Sequence, residues 1–283
     1  ASEGIHYSFF SPADLDLLGY AADAPERNTI KILNPINEDL SIMRTTLAAQ
    51  MIRAMARNQK KGRMDGRIYE IGNRFFPKAL PITEYPYEKK TLCVGVFGKD
   101  ESFYTLKGIA ETVADTFCLQ FTYKEGNKPY LHPYQTADIF LGEEKIGYLG
   151  KVTYEIMDEL DARESMYVME IELDKLSSYY GTVPKFTPIP KYADELRDLA
   201  LVMDKKVLCG EVEDAIKEAC KYVKEVTLFD VYEGKQIGED KKSMAFTVRF
   251  VPEDEEFTGE MIDGYVKKIL KNLKNKLEVE LRS

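Results

Sequence analysis

No apolar run in the 283-residue chain approaches the roughly 20 residues that a membrane-spanning helix needs, so no membrane partner is expected. The opening ASEGIHYSFF has neither the basic start nor the apolar stretch of a secretory signal. It also lacks an initiator methionine, and the chain is expected to be a piece of a longer one. The four cysteines, Cys93, Cys118, Cys209 and Cys220, form no CxxC pair, and only His6 and His132 accompany them. That leaves neither a zinc site nor a disulfide framework, so the cysteines read as small core residues in a reducing cytoplasm. No GxxxxGK[ST] loop is present. GEEKIGYLG (142–150) is only loosely like a dinucleotide fingerprint, and its alternation reads as a strand. No Ser/His/Asp or Cys/His arrangement stands out, so no catalytic residue and no metal ligand is assigned.

Basic charge is scarce too. Lys and Arg number 39 against 48 Asp and Glu, a net charge of −9. A broad phosphate-contact surface, and DNA as a partner, are therefore not expected, although a small local contact stays open. The acidic run PEDEEF (252–257) reads as a solvated loop before a helix. The basic run 53–67 fits a phosphate contact and the wet end of a helix equally well.

What remains is a folded chain, 44% hydrophobic and 31% charged. Its clearest seam is SSYYGTVPKFTPIPKY (177–192), with three prolines and little periodicity. The expected division is a domain over 1–180, a linker over 181–191 and a second domain over 192–283. In the second domain, LRDLALVM (196–203) reads as a strand and GEVEDAIKEACKYV (210–223) as an amphipathic helix. FDVYEGKQIGEDKKSMAFTVRF (229–250) reads as a hairpin, 258–275 as a second helix and 277–282 as a last strand. This β-α-β-β-α-β order places both helices on one face of a four-stranded sheet. Phe229, Val231, Met244, Phe246, Val248 and Phe250 are expected in the core. Asp230, Tyr232, Ser243 and Arg249 are expected on the bare face. The first domain reads as a mixed, mainly antiparallel α/β unit, with strands at 67–76, 91–98 and 166–173, a hairpin at 136–150 and helices at 41–59, 104–118 and 153–161.

The bare face carries the strongest functional signal. A tyrosine can stack under a base, a carboxylate can accept from the N–H edge of a guanine, and a hydroxyl can bond beside it. Arg197 or Arg249 can meet a phosphate. The competing reading is an ordinary polar sheet face or a protein-docking surface.

RDLALVM, FDVYEG, KSMAFTVRF and the terminal LR resemble the ferredoxin-fold anticodon-binding domain that closes the β subunit of bacterial phenylalanyl-tRNA synthetases. ILNPINEDLSIMRTTL (32–47), YEIGNRF (69–75) and GYLGKV (147–152) are similar to the same subunit's class II synthetase-like core. The resemblance implies an α+β protein: a mainly antiparallel synthetase-like domain followed by a ferredoxin-like one. It implies that Asp230, Tyr232 and Ser243 read the first anticodon base of phenylalanine tRNA. It also implies a core without its own active site, since YVMEIELDKL (167–176) runs into the linker with no late GxGxxR segment. ATP and Mg would be used by the α subunit of an (αβ)₂ tetramer. Met43, Arg44, Leu47, Met51 and Met55 match the region that supports assembly and are candidates for the subunit interface. KYADELRDLAL keeps only Arg197 where the family usually has a proline and paired arginines.

Overall fold

The computed structural model describes residues 1–283 apart from residues 187, 190, 235, 236, 239, 254 and 283. Thr187 and Pro190 of the expected linker and Asp254 of the acidic run thus lie outside the described residues. The chain divides into two compact units, Ala1–Pro184 and Lys185–Ser283.

The first unit contains β1 (Ser2–Glu3), β2 (Phe9–Phe10), α1 (Pro12–Leu17), β3 (Ile42–Met43), α2 (Ala48–Lys60), β4 (Gly66–Phe76) and β5 (Tyr87–Phe97). It continues with α3 (Phe103–Thr116), β6 (Thr122–Glu125), β7 (Leu131–Leu141), β8 (Glu144–Val152), α4 (Tyr154–Glu159) and β9 (Met166–Glu172). Seven strands form one sheet in the order β1-β4-β5-β9-β8-β7-β6, antiparallel except where β1 joins β4. The mixed, mainly antiparallel α+β architecture agrees with the sequence reading.

Helix α2 starts at Ala48 rather than at residue 41. Residues 42–43 instead pair with β2, and the first turn of α2 is held by a carboxylate from another strand. Glu170 accepts from the Leu47 and Ala48 amides and from the Thr46 hydroxyl, at 2.6, 3.0 and 2.8 Å. A buried negative charge there meets the unpaired N–H groups of a helix start. Met51 and Met55 then press on β5, where a Cβ on Gly95 would come within 2.7 Å of Met51 Cγ and 2.8 Å of Met55 Sδ. Only glycine lets the helix approach the sheet this closely.

This packing corrects the expected interface. Leu47, Met51 and Met55 are fully buried in the unit's own core. Arg44 is 2% exposed and ion-paired to Glu70 at 2.8 Å. Only Met43 is half-buried, and it sits in the β2–β3 ladder. The helix periodicity is that of a core helix. Nor do all the cysteines go inside: Cys93 and Cys220 are buried, Cys209 is half-buried and Cys118 is exposed.

The second unit contains β10 (Glu195–Asp204), α5 (Cys209–Ala219), β11 (Val223–Tyr232), β12 (Lys241–Phe250), α6 (Gly259–Leu277) and β13 (Glu280–Leu281). The strand order β11-β12-β10-β13, all antiparallel, is that of a ferredoxin-like sheet. Leu199, Leu201, Met203, Met244, Phe246, Val248 and Phe250 supply the core from the sheet. Val212, Ile216, Ile262, Ile269 and Leu273 close it from α5 and α6. Thr258 caps α6 by accepting from the Met261 amide.

Candidate nucleic-acid interface

Strand parity decides what the bare face presents, and a bulge changes that parity along β11. Val226 and Leu228 pair with Val248 and Phe246, so even-numbered residues face the core there. Between Leu228 and Asp230 the register shifts by one residue. An extra residue in one strand reverses which side the following residues occupy. Asp230 then lies opposite Ala245, and Tyr232 opposite Ser243, on the outer face as the sequence suggested. The expected core role of Phe229 and Val231 is corrected: they are 57% and 52% exposed. Phe229 is the bulge residue, and Val226 and Leu228 fill the inner positions instead.

The register continues across the sheet. One row runs Tyr232, Ser243, Val202, Glu280. The next runs Asp230, Ala245, Ala200, and ends at Arg282, whose amide donates to the Ala200 carbonyl at 2.8 Å. Two alanines therefore floor a shallow trough between Asp230 on one edge strand and the backbone of Arg282 at the other edge, and the Arg282 side chain reaches back to Tyr232. Asp230 is exposed and makes no hydrogen bond or ion pair among the described residues. Tyr232 is half-buried, and the guanidinium of Arg282 lies 4.9 Å from its ring centroid. A Cβ on Gly234 would collide with the Tyr232 hydroxyl, so the glycine makes room for this ring. A recess of about 320 Å³ opens beside the ring, lined by Val202, Lys241, Glu280, Leu281 and Arg282 among others.

Ser243 departs from expectation. It shares the outer face but is only 3% exposed, flanked by Tyr232 and Val202. Arg249 also shares the face, but its guanidinium is held by Asp194 at 2.7 Å and Glu225 at 3.0 Å. Arg197 lies on the other side: parity groups it with Leu199 and Leu201, and it pairs with Glu195 at 2.9 Å. Neither arginine is an uncommitted phosphate ligand. Arg282 makes no ion pair among the described residues; the terminal LR that it ends is part of the resemblance but gives it no role. Only the sheet order, with β13 beside β10, brings it to Tyr232.

Several polar groups of the first unit are turned inward. Glu70, Cys93, Glu170 and Tyr148 form one row across β4, β5, β9 and β8. Glu70 is bound by His6 at 2.6 Å and by Arg44 at 2.8 Å. Burial favours the protonated form of Glu70, but the His6 hydrogen bond and the Arg44 charge outweigh it and hold the carboxyl below its ordinary range. Tyr130 donates to the Tyr148 hydroxyl at 2.5 Å. Burial pushes both phenols well above their usual range. Arg74 is held by Glu172 at 2.9 Å and by the Thr91 hydroxyl at 2.7 Å. In the basic run, Arg53, Lys60 and Arg67 pair with Asp14, Asp161 and Glu101. Among the described residues no group of three or more His, Cys, Asp or Glu is arranged to hold a metal ion. Among them, too, no helix is long and apolar enough to cross a membrane.

The second unit belongs to the class of ferredoxin-like modules with helices on one sheet face and the other left open. Comparison with known proteins makes this specific. Residues 1–173 match the family model of the phenylalanyl tRNA synthetase beta chain CLM domain, and residues 190–282 match that of the ferredoxin-fold anticodon binding domain. The chain is 34% identical over 284 residues to the phenylalanine–tRNA ligase beta subunit of Clostridium tetani, covering 99% of this chain and 36% of the relative. It is 34% identical over 269 residues to that of Bacillus subtilis, covering 90% and 33%. A pyrrolysyl-tRNA synthetase structure from Desulfitobacterium hafniense overlaps 62% of each chain at 14% identity and a TM-score of 0.49, too loose a likeness to argue from. The chain belongs to the phenylalanyl-tRNA synthetase beta chain family, and spans about a third of the length of these relatives.

Proposed function

We propose that this chain is the anticodon-reading and assembly part of a phenylalanine–tRNA ligase beta subunit. The observation that carries this reading is the uncommitted Asp230 at the edge of an alanine-floored trough, two residues from Tyr232. Guanine is the base whose edge offers two adjacent donors, N1–H and N2–H, to one carboxylate. Tyr232 supplies a face on which a base stacks, worth about 1–3 kcal/mol. Ser243 lies beneath, as part of the floor. The first unit acts as a scaffold, a role supported by the internal bonds that occupy its Glu70, Glu170 and Arg74. In this proposal the α subunit of an (αβ)₂ tetramer, working in the cytoplasm, binds ATP and Mg and activates phenylalanine.

The test is fluorescence-anisotropy titration of the chain with phenylalanine tRNA at low salt. The comparisons are the same tRNA with its first anticodon base changed, and Asp230→Ala with each. The base change and the substitution should each cost about 1–3 kcal/mol and should not add. Equal binding of both tRNAs to the unmodified chain would refute anticodon reading. Exposed Phe229 and Val231 favour a second reading, a protein-docking face on the same edge of the sheet, and that outcome would support it.

A further inference from the structure

One lysine of the first unit is buried without an acid. Lys151 of β8 is 7% exposed and makes no ion pair among the described residues. Its ammonium donates to the Tyr154 hydroxyl at 2.9 Å and lies 4.6 Å from the centroid of that ring. Lysines are rarely buried unless paired. An ammonium carries three donors, and the phenol takes one of them.

A frame of aromatic rings stands at this point. Leu131 of β7 pairs with Val152 and Thr136 with Gly150, so a five-residue advance along β7 is matched by two along β8. Residues 132–135, HPYQ, therefore leave the ladder as an arch opposite Lys151. Pro133 suits such a break, because proline has no N–H to give the ladder. Leu131 and Val152 join the core under α2, and Lys151 belongs to the opposite face, with Leu149. The Thr136 hydroxyl pins the arch by donating to the His132 carbonyl at 2.7 Å, and the Tyr134 amide donates to His132 Nδ1 at 3.3 Å. The arch also rests on Gly150, where a Cβ would come within 2.8 Å of the Gln135 carbonyl oxygen. The His132 ring then lies 6.0 Å from that of Tyr134 and 6.1 Å from that of Tyr154, centroid to centroid. Tyr134 is 90% exposed and Tyr154 53%, so two of the three rings open to solvent beside the ammonium.

The chemistry of the group selects its ligand. An ammonium with unspent donors takes an anion, and an open ring face takes a flat π system. One ammonium serves one anionic group. The exposed Glu155, Asp158 and Glu159 of α4 repel a longer polyanion. A single phosphate joined to a single base meets both demands. We propose that Lys151, Tyr134 and Tyr154 form a nucleotide site in the first unit, with the phosphate on the Lys151 ammonium and the base stacked on Tyr134. His132 braces the Tyr134 ring from within the arch. A free mononucleotide and the terminal nucleotide of an RNA chain present the same phosphate and base. The site lies outside the anticodon reading above and shares no residue with it.

The test titrates the full 283-residue chain with etheno-AMP, a fluorescent nucleotide that is quenched on stacking, and with etheno-adenosine, which lacks the phosphate. Both titrations are repeated with Tyr134→Ala, Lys151→Met and Tyr232→Ala. The unmodified chain and Tyr232→Ala should bind etheno-AMP alike, and roughly tenfold more tightly than etheno-adenosine. Lys151→Met should bind the two ligands alike. Tyr134→Ala should bind etheno-AMP roughly tenfold more weakly, and that ring is too exposed for its loss to disturb the fold. Displacement by AMP and by a short oligoadenylate then separates the two sources: the one that acts at the lower concentration is the form the site takes. If Tyr232→Ala abolishes the signal, the nucleotide sits on the second unit and the proposal fails. It fails equally if Tyr134→Ala binds etheno-AMP as the unmodified chain does, or if the unmodified chain gives no quenching.

Discussion

Arg44→Ala distinguishes a partner-facing arginine from an internal brace. In the structure its guanidinium donates to Glu70 Oε1 at 2.8 Å, to the Asn73 carbonyl at 3.0 Å, to Gln50 Oε1 at 3.2 Å and to the Tyr7 carbonyl at 3.3 Å. Both ion-pair side chains are nearly inaccessible, 3% and 4% exposed. Truncation leaves a buried carboxylate with His6 as its remaining ion-pair partner, a loss of about 3–5 kcal/mol. Two backbone carbonyls lose a donor as well, so the lower figure is a floor. For a unit of this size the melting temperature of the first unit should fall by roughly 6–20 °C. Calorimetry, with hydrogen exchange at β4 and β5 to identify the transition, reads this out, and the second unit should melt unchanged. Arg44→Met combined with Glu70→Met should recover much of the loss, because two apolar groups leave no charge stranded. A loss below about 1 kcal/mol, the value of an exposed pair, would refute the brace and return Arg44 to a surface role.

Two further outcomes follow from the same unit. Glu70 titrates below its ordinary value when folded, so its contribution is complete above the unfolded carboxyl's range, near pH 4.3, and is lost as pH falls through it toward the folded value. Thermal unfolding between pH 7 and 3 should therefore steepen below about pH 5, and Glu70→Gln should flatten that slope; an unchanged slope would remove Glu70 from the account. Gly95→Ala should destabilise the first unit by about 1–3 kcal/mol through overpacking on Met51 and Met55, with Met51→Ala relieving part of it in the same denaturation assay.

The second unit was legible in the sequence because its signals are local. Helix periodicity, alternation in β10 and β12, and the β-α-β-β-α-β order sufficed for the sheet and its bare face. Asp230 and Tyr232 were found by parity counted back from a turn. The same count misplaced Phe229, since a bulge is a single unpaired residue that leaves no mark in an alternating pattern; Val231 keeps the inner parity, opposite Met244, but stays exposed on the edge strand. Ser243 was placed on the right face, but its low exposure depends on the neighbouring strands.

In the first unit a helix was visible over 41–59, of which the structure keeps 48–60, but its role was not. An amphipathic stripe shows that one face is buried; it does not say whether a partner or the chain's own sheet covers it. Met51 and Met55 became core residues because Gly95, 44 and 40 positions away, lets the helix sit against β5.

The sequence by itself determined the elements, the fold class and the family, because periodicity, turn chemistry and short motifs are written in neighbouring residues. Only the tertiary structure decided which charges are spent and which are free. Arg44, Arg197 and Arg249 find carboxylates, and Arg282 finds Tyr232 instead. An arginine's availability depends on which strand lies beside its own, and strand order is a long-range property that no local pattern records.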